Sequence, residues 1–188
     1  MAAKMRNPAV IFRSFAKSTR GVAAIEFAMI LPVLAVMFLA SFDGARAIAA
    51  YMKVRAATYA LASISNQYTT IAAADMTQIL GAASVVMAPY NSSTPFVTVS
   101  QITIDGTKKA TVEWSAASGG TARTVTSTMT LPTNLDVKNS YLIFAEVSYT
   151  FTPLFGYFGS GGITFSDNLY VTPRSATCIV YSPQSSTC

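Results

Sequence analysis

The chain has 188 residues, 52% hydrophobic and only 11% charged, where an average globular protein carries about 25% charged residues. That length can bury a real core, and two cysteines cannot form a disulfide scaffold, so disorder and a disulfide-dense mini-protein are both excluded. Histidine is absent, which removes His-based triads and His metal sites, and the net charge of +5 raises the question of nucleic acid.

The position of the charge answers that question. Lys4, Arg6, Arg13, Lys17 and Arg20 supply +5 within residues 1–21, where there is no acid; the remainder holds eight basic and eight acidic side chains. A nucleic-acid partner therefore loses its support. Directly after this leader comes VAAIEFAMILPVLAVMFLASF, residues 22–42, broken by a single charge, Glu26. As a helix rising about 1.5 Å per residue it spans roughly 30 Å, the thickness of a bilayer's hydrocarbon core. It reads as one transmembrane helix. The basic residues before it, against Arg46, Lys53 and Arg55 after it, orient the N-terminus to the cytoplasm and export the C-terminal part. A secretory signal peptide is the competing reading, with a small-residue cleavage site between Ala45 and Ala49; the apolar run is too long, contains a carboxylate, and continues as a helical pattern.

Glu26 is expensive inside hydrocarbon unless something neutralises it. Its helical neighbours are Val22, Ala23, Met29 and Ile30, none of them cationic. A partner must come from another chain or from a newly made terminus. A cut after Gly21 would leave an ammonium on Val22, and that group on a neighbouring subunit could pair with Glu26.

Beyond residue 42 the helix is expected to continue as an amphipathic stalk, with Ala45, Ile48, Met52, Ala56, Tyr59 and Ser63 recurring every three or four positions. Pro32 should bend or loosen the membrane part, and Gly44 is a weaker break. A second helix is predicted from Asp75 as N-cap to Met87, with Met76, Ile79, Leu80, Ala83, Val86 and Met87 on one side. From residue 89 onward β signals take over. Phe96–Ile104 and Thr107–Trp114 flank Asp105-Gly106, a two-residue type I′ hairpin signal, with Ile102, Ile104, Val112 and Trp114 alternating as a half-buried sheet requires. Further strands are predicted over Arg123–Leu131, Tyr141–Phe151 and Ile163–Val171, with Tyr141, Ile143, Ala145, Val147, Tyr149 and Phe151 sharing a side. Residues 89–188 hold 31 Ser and Thr against ten charged residues, so solubility rests on hydroxyls and like neighbours can approach without repulsion.

Candidate chemical sites are few. Gly156, Gly159, Gly161 and Gly162 precede strand residues rather than a helix, so they read as a hairpin loop and not as a phosphate loop. Asp75, Asp105, Glu113, Asp136, Glu146 and Asp167 fall singly in turns or on strand faces. Asn91-Ser92-Ser93 is a common sequon pattern. The aromatic Phe155–Phe158 stretch could touch a partner. Cys178 and Cys188 could close a small loop in an oxidising compartment. No catalytic residue, metal or cofactor is expected.

Arg20-Gly21-Val22-Ala23-Ala24-Ile25-Glu26-Phe27 resembles a type IV prepilin processing site: basic leader, Gly before the cut, Glu at the fifth mature position, an aromatic at the sixth. Residues 21–63 are similar to the TadE-like segment of the tight-adherence (Flp) pilus system, and residues 144–174 resemble, more loosely, the strand, turn and strand ending of the same proteins. Pro173-Arg174-Ser175 departs from the Arg-Glu-type pair often found there. The resemblance implies a minor pilin or pseudopilin, cut by a prepilin peptidase between Gly21 and Val22. Assembly would run through Glu26, Phe27 and Pro32, with other pilin and pseudopilin subunits and an inner-membrane assembly platform as partners. It implies roles in adhesion and biofilm formation. The expected architecture is α+β: a leader (1–21), a transmembrane and stalk helix (22–66), and a periplasmic head (67–188) with a helix at about 75–88 and then antiparallel β. The protein would be single-pass in the bacterial inner membrane and, after assembly, part of an extracellular pilus. An uncleaved, membrane-anchored adhesin or binding module is the alternative, and a tethered enzyme is a third reading without a catalytic constellation.

Overall fold

A computed structural model describes residues 20–90, 95–155 and 162–184. It contains a long apolar helix, an antiparallel sheet and one further helix, an α+β protein with a β-rich head. The chain divides into two units between Gly44 and Ala45. Helix α1, Arg20–Ser65, contributes to both and is helical through Pro32 and Gly44. Pro32 has no N–H to offer the Ala28 carbonyl, one bond lost among many. At its end the Gln67 side-chain amide donates to the Ser63 carbonyl at 2.7 Å, doing for a helix C-terminus what a basic residue would otherwise do.

In the first unit the side chains of Gly21–Phe38 are exposed on every face of α1. In the second unit α1 buries Ala50, Val54, Ala57, Leu61 and Ala62. The larger recurring residues Ile48, Met52 and Tyr59 stay exposed. Both sides of this part of α1 are apolar enough to face a core, and the head takes the one with small side chains, which lets the backbones approach closely.

Helix α2, Ala73–Met87, buries Met76, Ile79, Leu80, Ala83 and Met87 as its periodicity predicts. Its N-cap lies three residues earlier than expected. Ala72 is the N-cap, and Asp75 sits one turn in, where its carboxylate accepts the Ala72 amide at 3.3 Å.

The main sheet has the order β4-β3-β2-β5-β6 and is antiparallel throughout: β2 is Phe96–Ile104, β3 Ala110–Ser118, β4 Thr128–Met129, β5 Ser140–Phe151 and β6 Ile163–Val171. Three local expectations are corrected. The β2–β3 connection is not a two-residue type I′ turn: the Lys108 amide donates to the Asp105 carbonyl, and it is Lys108, with φ 69°, that takes the left-handed conformation. This is a type I turn followed by a left-handed residue, a common three-residue alternative. Next, Gln101 pairs with Trp114 but Ile102 pairs with Val112, so Glu113 is the extra residue of a bulge. Val112 and Trp114 therefore lie on opposite faces, although alternation put them on one. Finally, the predicted strand Arg123–Leu131 shrinks to β4, because Thr126 has φ 68° and Ser127 turns back to the Thr124 carbonyl.

One sheet face, with Val97, Val99, Trp114, Ile143, Ala145, Val147, Tyr149 and Phe151, shares a core with α1 and α2. Tyr141, expected on that side, is not part of it. Ile102, Ile104, Ala110, Leu142 and Phe144 form a second, smaller cluster.

The C-terminal segment is the element with no sequence signal. Strand β7, Val180–Tyr181, pairs in parallel with β1, Thr70–Ile71. The indole N–H of Trp114 donates to the Ile179 carbonyl at 2.7 Å, and the Ile179 amide donates to Gln101 Oε1 at 2.7 Å. The Gln184 side chain both accepts from the Ser115 amide and donates to its carbonyl, each at 3.0 Å. Trp114→Phe removes a buried donor and leaves the Ile179 carbonyl unpaired, at a cost of about 1–3 kcal/mol. Circular-dichroism melting of the full chain in detergent should show a midpoint lower by roughly 3–8 °C, with Gln184→Ala, at the exposed end of the segment, costing less.

Candidate functional site

The sequence-derived residues gather at the start of α1. Gly21 and Val22 lie in its first turn, and Glu26 and Phe27 follow within two turns, so all four fit on about 9 Å of helix axis. A Cβ at Gly21 would meet nothing within 4 Å, so the backbone there is approachable from outside. Val22 and Phe27 are 55% and 60% exposed, and Glu26 and Pro32 are also exposed. Among the described residues Glu26 has no ion-pair partner. The helix from Gly21 is long and apolar enough to cross a membrane.

The head carboxylates are each engaged locally. Asp75 serves its helix start; Glu113 accepts from the Thr103 hydroxyl at 3.0 Å; Asp136 pairs with Lys108 at 3.2 Å. Glu146 pairs with Arg123 at 2.6 Å, and the Arg123 guanidinium lies 4.9 Å from the centre of the Phe144 ring. Asp167 stands in the field of Arg55. No two of them share a proton-transfer geometry in these contacts, and among the described residues no group of three or more His, Cys, Asp or Glu could hold a metal. Cys178 is buried, while Cys188 lies outside the described residues, as do Asn91-Ser92-Ser93 and, of the glycine-rich loop, Gly156, Gly159 and Gly161. Gly162 has φ 73°, and a Cβ there would press on Thr150 Cγ2 at 2.9 Å, the structural role of a turn glycine.

The comparison with known families falls on the same helix, α1. A family model described as TadE-like protein matches residues 21–63. The chain carries a TadE-like segment. The match begins at Gly21 and covers nearly all of α1 and none of the sheet. That segment is what the chain shares with a family of structural pilus components. No curated protein and no solved structure matches the chain.

What sequence reasoning passed over is the face of α1 that the head buries; it named the stripe with Ile48, Met52 and Tyr59, which stays exposed, because periodicity identifies a face without saying what covers it. The signal for it was the second period of three and four, Ala50, Val54, Ala57 and Leu61, offset around the same helix.

Asp105 provides a check on the head's local geometry. Its carboxylate accepts from the Thr107 hydroxyl at 2.6 Å and from the Lys109 and Thr107 amides at 2.9 and 2.7 Å. The Thr107 hydroxyl, foremost, and the Lys109 amide hold its pKa below the ordinary value. A lowered folded pKa stabilises the turn fully above the unfolded value of about 3.9, and that contribution is lost as pH falls through the folded value. An NMR titration of the Asp105 carboxyl carbon should show a midpoint below that of a model aspartate, and Thr107→Ala should move it back up.

Proposed function

We propose that the TadE-like chain is a minor pilin or pseudopilin of a Tad pilus. It is inserted with its basic leader in the cytoplasm, cut between Gly21 and Val22 by a prepilin peptidase, and incorporated at low copy. Hydrolysis of the Gly21–Val22 peptide consumes one water and leaves a carboxylate on the discarded leader and an ammonium on Val22. The observation that carries this reading is Glu26 on an exposed apolar helix, without an ion-pair partner among the described residues and five positions on from the proposed cut, counting Val22 as the first. A carboxylate at mid-bilayer costs about 2.5–3.5 kcal/mol on an insertion scale. A neighbour's Val22 ammonium offsets that cost when helices pack side by side in the correct register. Phe27 beside it supplies bulk to the same contact, and Pro32 frees one carbonyl farther along.

The head supports minor status. It is larger than a thin shaft of helices accommodates, and few charges lie on it to repel neighbouring subunits. Its place is the periplasm, with the inner-membrane assembly platform and other pilin subunits as partners, and it serves adhesion and biofilm formation through the filament. In that oxidising compartment a thiol oxidant accepts two electrons and two protons from Cys178 and Cys188 to close a disulfide.

Gly21→Val should block the cut, because the peptidase must reach the backbone at that residue, while Gly21→Ala is partly tolerated. Intact mass of membrane-extracted protein then shows the full precursor for Gly21→Val and a chain starting at Val22 for wild type. Glu26→Ala should leave cleavage largely intact and abolish or sharply reduce pili seen by electron microscopy. Normal pili from Glu26→Ala would refute the ion-pair account, and an uncut wild-type chain would favour the membrane-anchored adhesin.

A further inference from the structure

The turn between β2 and β3 leaves the ladder between β3 and β4 one rung short. In an antiparallel pair, hydrogen-bonded rungs recur at every second residue. Val112 bonds the Thr126 and Ser127 backbone, and Ala110 faces Met129, so the next rung would join Lys108 to Leu131. That rung is not made. Lys108 has φ 69° and its amide donates to the Asp105 carbonyl, which takes it out of the strand. Leu131 precedes Pro132, which holds it extended. Among the described residues neither its N–H nor its C=O has a hydrogen bond, and by the alternation of the ladder both point toward the missing partner.

A cavity of about 280 Å³ occupies that gap. Ala110, Met129 and Leu131 give it an apolar lining continuous with the smaller core cluster. Its charged lining is Lys108, Lys109 and Asp136. Lys108 pairs with Asp136 at 3.2 Å, which neutralises both. Lys109 has no ion pair among the described residues; it is its amide, not its ammonium, that bonds Asp105. The stretch that carries Asp136 is fixed, with the Leu135 amide donating to the Pro132 carbonyl and the Val137 amide to the Leu135 carbonyl, each at 2.9 Å. Lys108 and Thr126, both left-handed without being glycine, sit in or within two residues of this lining, and strain of that kind concentrates at ligand clamps.

The unmade rung requires a group that accepts from one N–H and donates to one C=O. The lone ammonium requires an anion, and a charged lining of net +1 matches one negative charge. The last residue of a peptide supplies all of these. We propose that the cavity binds the free C-terminal residue of a peptide, one with a small apolar side chain. Its N–H donates to the Leu131 carbonyl, its carboxylate accepts from the Leu131 amide and the Lys109 ammonium, and its side chain lies against Ala110 and Met129. Acetate offers the charge without the donor, and an internal peptide segment offers the donor without the charge. The volume lies just under the range of drug-sized pockets, about 300–1,000 Å³, and suits one small residue. The site needs neither the cut at Gly21 nor assembly, so it goes beyond the processing scheme and can fail independently of it.

The test titrates N-acetylalanine into the full chain in zwitterionic lipid nanodiscs, read by NMR at the Leu131 amide and the Met129 methyl. Both signals should shift saturably, with a dissociation constant on the order of 1 mM, and the Leu131 amide proton should move downfield as it gains a bond. N-acetylalanine amide keeps the donor and loses the charge, and acetate keeps the charge and loses the donor; each should bind roughly tenfold more weakly. Lys109→Gln should weaken N-acetylalanine binding by about the same factor, while Lys138→Gln, an exposed lysine outside the lining, should leave it unchanged. The absence of a saturable shift overturns the proposal. So does acetate or the neutral amide binding as tightly as N-acetylalanine, and so does an affinity that Lys109→Gln leaves intact. The two ligand controls need no variant, and none of these signals depends on the residue at which the chain begins.

Discussion

A segment that enters hydrocarbon must satisfy its own peptide N–H and C=O groups, because no water is there to do it. α1 meets that demand over 46 residues, staying helical past both Pro32 and Gly44. The rest depends on it. A single continuous helix lets one stretch of chain be apolar on all sides, long enough to cross a membrane, and another be apolar on the face that its own head covers. It also makes Glu26 conspicuous, since a carboxylate on such a rod has few means of being neutralised within its own chain.

The head is built so that its chain end, and not its surface charge, seals the fold. Trp114, Gln101 and Gln184 reach the C-terminal segment with their side chains and hold it as a strand would. Each of these groups would be costly if left unpaired, Trp114 and Gln101 because they are buried. The segment therefore closes one edge of the sheet and ties β7 to β1, just beyond the end of α1.

Much of this was legible in the sequence because the signals were local. The apolar run, the α2 periodicity, β5 and β6 follow from spacing alone, and Gly21, Glu26 and Phe27 stand out chemically against an apolar background. The failures are also physical. Asp105-Gly106 suits a type I′ turn, yet the Asp105 carboxylate gathers the Thr107 and Lys109 amides and moves the left-handed residue to Lys108. The bulge at Glu113 leaves no mark on alternation until the partner strand is known. Thr126 adopts a positive φ that threonine rarely shows, so a β-rich composition concealed a turn. The docking of residues 179–184 depends on partners more than sixty positions away. The face of α1 that the head covers could not be read, because both faces were apolar.

The central claim is that the exposed apolar surface of residues 21–42 belongs in a bilayer. The most direct measurement places the photocrosslinker benzoyl-phenylalanine at Phe38, 71% exposed, in the full chain reconstituted alone into phospholipid vesicles. The account predicts lipid adducts at that residue by mass spectrometry. Crosslinks only to peptides of the chain's own head, with no lipid adduct, would contradict it.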